Sequence, residues 1–300
     1  MILLITGGTG SLGSTVVKQL LASRQETYDK IVIYSRDEHK QEDLKHVLDS
    51  YPNANHVRYL VGDIRDIRRL KFACQDVDHI INAAALKVVM KGESDPLEFI
   101  KTNVMGVSNV IEAAIDCGAS KVLQVSTDKA VYPINLYGAT KLCAEKLMLA
   151  ANNLQGASGP IFGVVKYGNV EFSNGSVIPH FVKLYKQHQA FTVTDKRMTR
   201  FSISLDEAAK FVIGSLRFMT REQNFRVPAM YAYNIMDLCA AIDPEAPIKF
   251  IGLREGEKIH ESILTIEESS KFPDIPSTSE VAKRLSVQEL KERISAYLSR

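Results

Sequence analysis

Four cysteines in 300 residues, at 74, 117, 143 and 239, are too few and too scattered for a secreted disulfide framework or a paired metal-ligand spacing. Free buried thiols in a reducing compartment are the expectation. The seven histidines include no His-x-x-x-His pair, so no structural metal is expected. An excess of one charge is missing too. The 37 Lys and Arg against 35 Asp and Glu leave +2, too weak a field to imply nucleic acid or a membrane surface as partner. No stretch approaches the ~18 consecutive apolar residues of a membrane helix. The opening Met1-Ile-Leu-Leu-Ile-Thr6 carries no charged leader and no cleavage site. Internal repeats and low-complexity runs are absent. With 45% hydrophobic and 24% charged residues, what remains is a cytoplasmic globular protein.

What is present is alternation. Apolar runs at 2–6, 30–35, 56–61, 79–84, 121–126 and 162–167 read as strands. Helical patterns stand between them at 12–23, 38–48, 96–117 and 136–152. Strands of this kind, separated by helices, predict an α/β fold with a doubly wound parallel sheet covered on both faces. Beyond residue 168 the pattern turns irregular. Residues 169–176 form a polar loop, and helices are expected at 177–188, 205–219 and 286–298. The last has Leu285, Leu290, Ile294 and Leu298 at helical spacing, a stripe to be buried. This portion reads as a smaller mixed α/β C-terminal part interleaved with the core.

Gly7-Gly8-Thr9-Gly10-Ser11-Leu12-Gly13 follows the first strand directly and opens a helix. Glycines at 7, 10 and 13 let the backbone turn tightly and approach a pyrophosphate, which the helix N-terminus then faces. In that strand-loop-helix context the motif predicts dinucleotide binding, and residues 1–168 become a Rossmann cofactor domain. The second strand runs into Ser35-Arg36-Asp37-Glu38, with Lys40 beyond. Ser35 and Arg36 suit a 2′-phosphate and favour NADP. Asp37 argues for NAD through a ribose hydroxyl, or else only caps the next helix. Asp63 and Ile64 after the third strand are placed to meet the adenine, Asp63 alternatively being a solvated turn. Ala83, Ala84 and Ala85 put small side chains against the cofactor.

After the fifth strand comes Ser126-Thr127-Asp128-Lys129, and then Tyr137-Gly-Ala-Thr-Lys141. Tyr137 and Lys141, four apart, share one helix face. A nearby ammonium favours the phenolate. Such a phenol can take a hydroxyl proton while hydride leaves the same carbon. Asp128 and Lys129 supply a second acid–base pair at the sheet edge where ligands sit, a pair that plain alcohol oxidation does not need.

With these residues the chain resembles the extended short-chain dehydrogenase/reductases, and within them the inverting UDP-N-acetylglucosamine 4,6-dehydratases. The resemblance is carried by segments 6–13, 34–38, 84–87, 101–103, 126–141, 166–169, 175–179, 198–201 and 256–261. It implies that Tyr137 takes the C4 hydroxyl proton, that Lys141 holds the nicotinamide ribose and tunes Tyr137, and that Thr127 orders the loop or binds substrate. Lys129 would remove the C5 proton, its pKa lowered by Lys87, Lys141 and burial. Asp128, protonated through burial, would release the C6 hydroxyl. The resemblance further implies substrate contacts from Lys87, Asn103, Asn169, Ser176, Val177, Arg200, Arg254 and Glu257 in residues 169–300 and the adjoining loops. Arg200 and Arg254 would neutralise the diphosphate. Lys87 would also border the cofactor, and a homo-oligomer, dimer or hexamer, is implied.

The chain departs from that family at Val88 and Met90, where His and Pro are usual, and at 170–174. There Glu171 and Asn174 replace a Gly-Ser-Arg-Gly stretch, so an anionic Glu171 is expected to alter the charge near the sugar or phosphates. The chain is also shorter than its family by some tens of residues. Three other readings stand beside the inverting dehydratase: a UDP-sugar 4-epimerase, which leaves Asp128 and Lys129 without work; a dehydratase that retains C5, against which Tyr137 argues; and a non-enzymatic NADP-sensing module.

Overall fold

The computed structural model describes all residues except 24–27, 155, 157–158, 174 and 300, so Asn174 lies outside the described residues. The chain runs β1 (Ile2–Thr6), α1 (Ser11–Ala22), β2 (Lys30–Ser35), α2 (Glu38–Leu48), β3 (Val57–Val61), α3 (Ile67–Ala73), β4 (His79–Asn82), α4 (Val89–Ser94) and α5 (Pro96–Ile100). A π turn (Lys101–Met105) leads into α6 (Gly106–Cys117), β5 (Lys121–Thr127), α7 (Leu136–Ala150) and β6 (Ile161–Tyr167). Then follow β7 (Asn169–Val170), α8 (Val177–Lys186), β8 (Phe191–Val193), β9 (Thr199–Ile203), α9 (Leu205–Phe218), β10 (Phe225–Arg226), β11 (Tyr231–Asn234), α10 (Ile235–Ile242), β12 (Ile248–Phe250), α11 (Ile266–Ser269) and α12 (Val287–Leu298).

Seven parallel strands form the central sheet in the order β10-β6-β5-β4-β1-β2-β3. This is the doubly wound Rossmann sheet, with its switch point between β1 and β4. Its central strands are mostly apolar because helices cover both faces. One layer packs α1 and α9 through Val16, Val17, Leu20, Ala208, Val212 and Leu216. The other packs α3, α6 and α7 through Leu70, Val107, Ile111, Ala144 and Met148. The chain past 168 therefore returns twice to the sheet, as α9 and as edge strand β10.

A third core joins α8, β8, α10 and α12 through Phe181, Phe191, Leu238, Leu290 and Ile294. It is flanked by a three-stranded sheet, β11-β9-β7, and a two-stranded one, β12-β8. α12 begins with a capping box between Ser286 and Glu289. Leu285, Leu290 and Ile294 are buried, while Leu298 of the expected stripe is exposed.

Three differences from the sequence reading bear on the site. β4 ends at Asn82, because residues 83–84 lie as a loop against Gly7. The expected helix 96–117 contains the π turn, which carries Asn103. The polar loop at 169–176 starts with strand β7, parallel to β9. α3 and α4 are too short for a 3.6-residue period to register in the sequence. Among the described residues no helix is long and apolar enough to cross a membrane.

Candidate active site

The loop after β1 is shaped by its glycines. Gly7 has φ +67°, and a Cβ on it would come 2.8 Å from the Ala84 nitrogen. A Cβ on Gly13 would stand 2.6 Å from the Gly8 Cα. α1 therefore lies close behind the loop, and its N-cap, Gly10, offers no side chain to the first-turn N–H groups. Those donors, with the positive end of the helix dipole, stay open to an anion. Gly7, Thr9, Gly10, Ser35, Arg36, Lys40, Asp63, Ile64, Ala83, Ala84 and Ala85 line one cleft, so most of the predicted cofactor residues converge there. Ser11, Leu12 and Gly13 continue into α1 behind it.

The charges at the far end of the cleft are already sorted. Asp37 caps α2, accepting from the Lys40 backbone N–H at 3.1 Å. Asp63 accepts twice from the Arg65 guanidinium, at 2.9 and 2.7 Å, and lies 3.8 Å from Arg36. The Ser35 hydroxyl accepts from Gln41 Nε2 at 2.9 Å. Arg36, with its side chain 54% exposed, is left facing the cleft.

β5 ends at Thr127, which caps a single 3-10 turn, Asp128–Ala130. Asp128 is 0% exposed. Its Oδ1 accepts from the Thr127 hydroxyl at 2.9 Å and from Lys129 Nζ at 3.1 Å, and its Oδ2 is buried without a partner. Burial raises the Asp128 pKa against the pull of Lys129, and the nearby Glu261 charge adds to the rise. Lys129 Nζ also lies 3.3 Å from Asn169 Oδ1 and 3.5 Å from Glu261 Oε1.

Burial alone would lower Lys129, but the Asp128 and Glu261 carboxylates outweigh it and its pKa is raised. This corrects the expectation of an amine depressed by its neighbours. Lys87 is exposed and is not among the charges acting on Lys129. Desolvation instead depresses Lys87, Lys258 and above all Lys141, which is buried and lowered to about 8, its Nζ donating to the Val125 carbonyl at 2.6 Å. Lys141 is also not the cation acting on Tyr137. Burial raises that phenol, and Lys129 together with a hydrogen bond to Thr127 opposes the rise. Helix spacing put Lys141 on the right face, but its stem turns to a strand carbonyl.

Among the expected substrate residues, Asn169 and Arg200 join the Lys129 cluster. Arg200 donates to the Thr199 and Ile259 carbonyls at 2.8 and 3.0 Å, and its Nε lies 3.9 Å from Glu261. Ser176 has a buried hydroxyl without a partner just before Val177 opens α8. Arg254 and Glu257 bond to each other. Asn103 does not reach the site. Its amide is consumed by the Leu86 N–H and C=O, each at 2.9 Å, and by Thr140 at 3.1 Å. It ties the loop after β4 to α7.

Glu171 is likewise turned inward, accepting from Ser202 at 2.6 Å and Arg293 at 2.7 Å, so its charge is neutralised by α12 instead of facing a ligand. Val88 and Met90 are exposed. Sequence reasoning passed over Glu261, although it ends a segment singled out above. No spacing rule links it to Lys129, because β9 and the 256–261 segment bring it there. Asn135 Nδ2 donates to the Gly256 carbonyl at 2.9 Å and Lys258 Nζ to the Val131 carbonyl at 2.6 Å, fastening that segment beside the loop before α7. A second overlooked group is buried under α7, where Glu145 accepts from Ser126 and pairs with Lys166 at 3.2 Å.

The profile of the family described as "Polysaccharide biosynthesis protein" matches residues 3–283. The chain is 47% identical over 268 residues to the UDP-N-acetylglucosamine 4,6-dehydratase (inverting) of Campylobacter jejuni, with 89% of this chain and 78% of that one covered. It is 40% identical over 278 residues to the UDP-glucose 4-epimerase of Rickettsia bellii, covering 91% and 80%. Among solved structures it is similar to Pen from Bacillus thuringiensis, with a TM-score of 0.90, 33% identity, and 98% and 97% of the two chains covered.

Proposed function

Because the chain belongs to the polysaccharide biosynthesis protein family, we propose that it is a UDP-N-acetylglucosamine 4,6-dehydratase that inverts C5 and works with NADP. The observation that carries this reading is the second acid–base pair, Asp128 and Lys129, joined at 3.1 Å beside the buried phenol of Tyr137. Epimerisation at C4, the reaction in the Rickettsia relative's name, calls for one hydroxyl base and leaves that pair without work.

A nicotinamide dinucleotide fits the first cleft. The Gly7 and Gly13 approaches admit a pyrophosphate to the uncapped N-terminus of α1. Asp37, the residue that would favour NAD, is engaged as a helix cap, and Arg36 supports NADP through its 2′-phosphate. Bound there, the cofactor supplies hydride uptake from C4 and return to C6. Tyr137, as the phenolate that Lys129 and the Thr127 hydrogen bond favour against burial, takes the C4 hydroxyl proton. The ketone so formed acidifies C5, and Lys129 as free amine removes that proton. The C5–H electron pair becomes the C5=C6 bond, while the C6–O pair leaves with oxygen, which takes the Asp128 proton and departs as water. Reprotonation of C5 from the opposite face inverts it. Asn169, Ser176, Val177, Arg200, Arg254 and Glu257 are assigned to the UDP moiety, with Arg200 and Arg254 answering the diphosphate.

The test is incubation of purified protein with UDP-N-acetylglucosamine and no added reductant, read by mass spectrometry and by NMR in heavy water. A product lighter by one water and deuterated at C5 is expected. A product of unchanged mass with C4 inverted would replace this reading by epimerisation.

A further inference from the structure

Glu261 has no part in the steps above, yet it is 3% exposed and faces three cations. Its Oε1 lies 3.5 Å from Lys129 and 3.9 Å from Arg200, and its Oε2 lies 4.0 Å from Lys258 without a hydrogen-bond partner. Its backbone is pinned on both sides by Ser279, whose hydroxyl accepts from the Glu261 N–H at 2.9 Å and whose N–H donates to the Glu261 carbonyl at 2.8 Å. By contrast, Glu171 and Arg293 close to 2.7 Å. Glu261 is held rigidly but at arm's length from its cations.

The elimination asks Asp128 to start with a proton and Lys129 to start without one. A single proton passing from Lys129 Nζ to Asp128 Oδ1, along their 3.1 Å bond, meets both demands. The ammonium and carboxylate become an amine and a carboxylic acid, with no proton taken from solvent. Exclusion of water by a bound hexose favours that neutral pair. Resting on the dehydratase reading, we propose that Glu261 is the positioning residue of this pair, fixing Lys129 on Asp128 and holding the shared proton on the amine until substrate binds.

The experiment compares pH profiles of kcat/KM for the wild type, Glu261→Gln and Glu261→Asp, with dehydration followed by mass spectrometry. The other charged or titratable groups around the pair, Tyr137, Arg200, Tyr233 and Lys258, stay in place in both variants. Loss of the Glu261 charge weakens proton binding to the coupled pair. The Glu261→Gln acid limb should therefore move to lower pH by about one unit, with kcat down roughly tenfold. Glu261→Asp keeps the charge, so its limb should stay while the shorter reach lowers kcat.

A Glu261→Gln profile that overlays the wild type overturns the proposal. Should that variant fail to fold, Glu261→Asp decides: a wild-type kcat or a displaced limb overturns the proposal, and a lowered kcat on an unmoved limb upholds it. Wild-type protein that forms no dehydrated sugar sinks the dehydratase reading and this inference with it, whereas dehydration with coincident profiles sinks only the inference.

Discussion

Lys129 donates to the carboxylate of Asp128, its own neighbour in the chain, across 3.1 Å. Consecutive residues seldom pair this way, because in an extended strand they point to opposite faces. The 3-10 turn that follows β5 folds the two side chains onto one bond. Replacement of either end should therefore stop water loss. Lys129→Ala is expected to lower kcat for dehydration by about 10²- to 10⁴-fold. Mass spectrometry of the sugar nucleotide measures it, and unimpaired water loss would remove Lys129 from the chemistry.

Cofactor choice is expected to follow Arg36. Charge-assisted hydrogen bonds to a phosphate are the strong ones, so Arg36→Ala should weaken NADP binding roughly tenfold or more and leave NAD nearly unchanged. Calorimetric titration with each dinucleotide checks this. Equal losses for both would move 2′-phosphate recognition away from Arg36.

Lys141, at about 8, binds its proton less tightly in the folded chain than a free lysine at 10.5. Between those values the unfolded state holds more protons than the native one. Stability should thus rise with pH from about 8 to 10, and the penalty for burying the charge is present in full below 8. Chemical denaturation of wild type and Lys141→Met across that range isolates the contribution as a difference. The wild type should gain stability relative to the variant as pH rises, and parallel curves would contradict the depressed pKa.

Arg293 of α12 neutralises the buried Glu171. Arg293→Ala leaves that carboxylate uncompensated and should cost about 3 kcal/mol in denaturant unfolding. Glu171→Gln keeps the Ser202 bond and leaves a half-buried arginine that reaches water, so it should cost less than half as much. The two variants measured side by side decide it, and equal losses would show that packing of α12, not charge, holds the segment.

By itself the sequence determined the doubly wound sheet and the glycine loop at the head of α1, and it singled out Asp128, Lys129, Tyr137 and Lys141 as candidates. Each is a local signal: strand and helix periods, a loop that tolerates no Cβ, and a four-residue helical spacing all act within one element or its immediate neighbour. Only the tertiary structure decided what those groups are in chemical terms. Glu261 arrives beside Lys129 through contacts between distant segments, and it adds to the larger pull of Asp128 in reversing the expected direction of that lysine's pKa. Asn103 is spent on the loop after β4, and Glu171 on α12. A side chain's charge state and its free hydrogen-bonding atoms depend on burial and on which carboxylate stands within about 4 Å. Sequence spacing does not encode those distances once the partners lie on different elements.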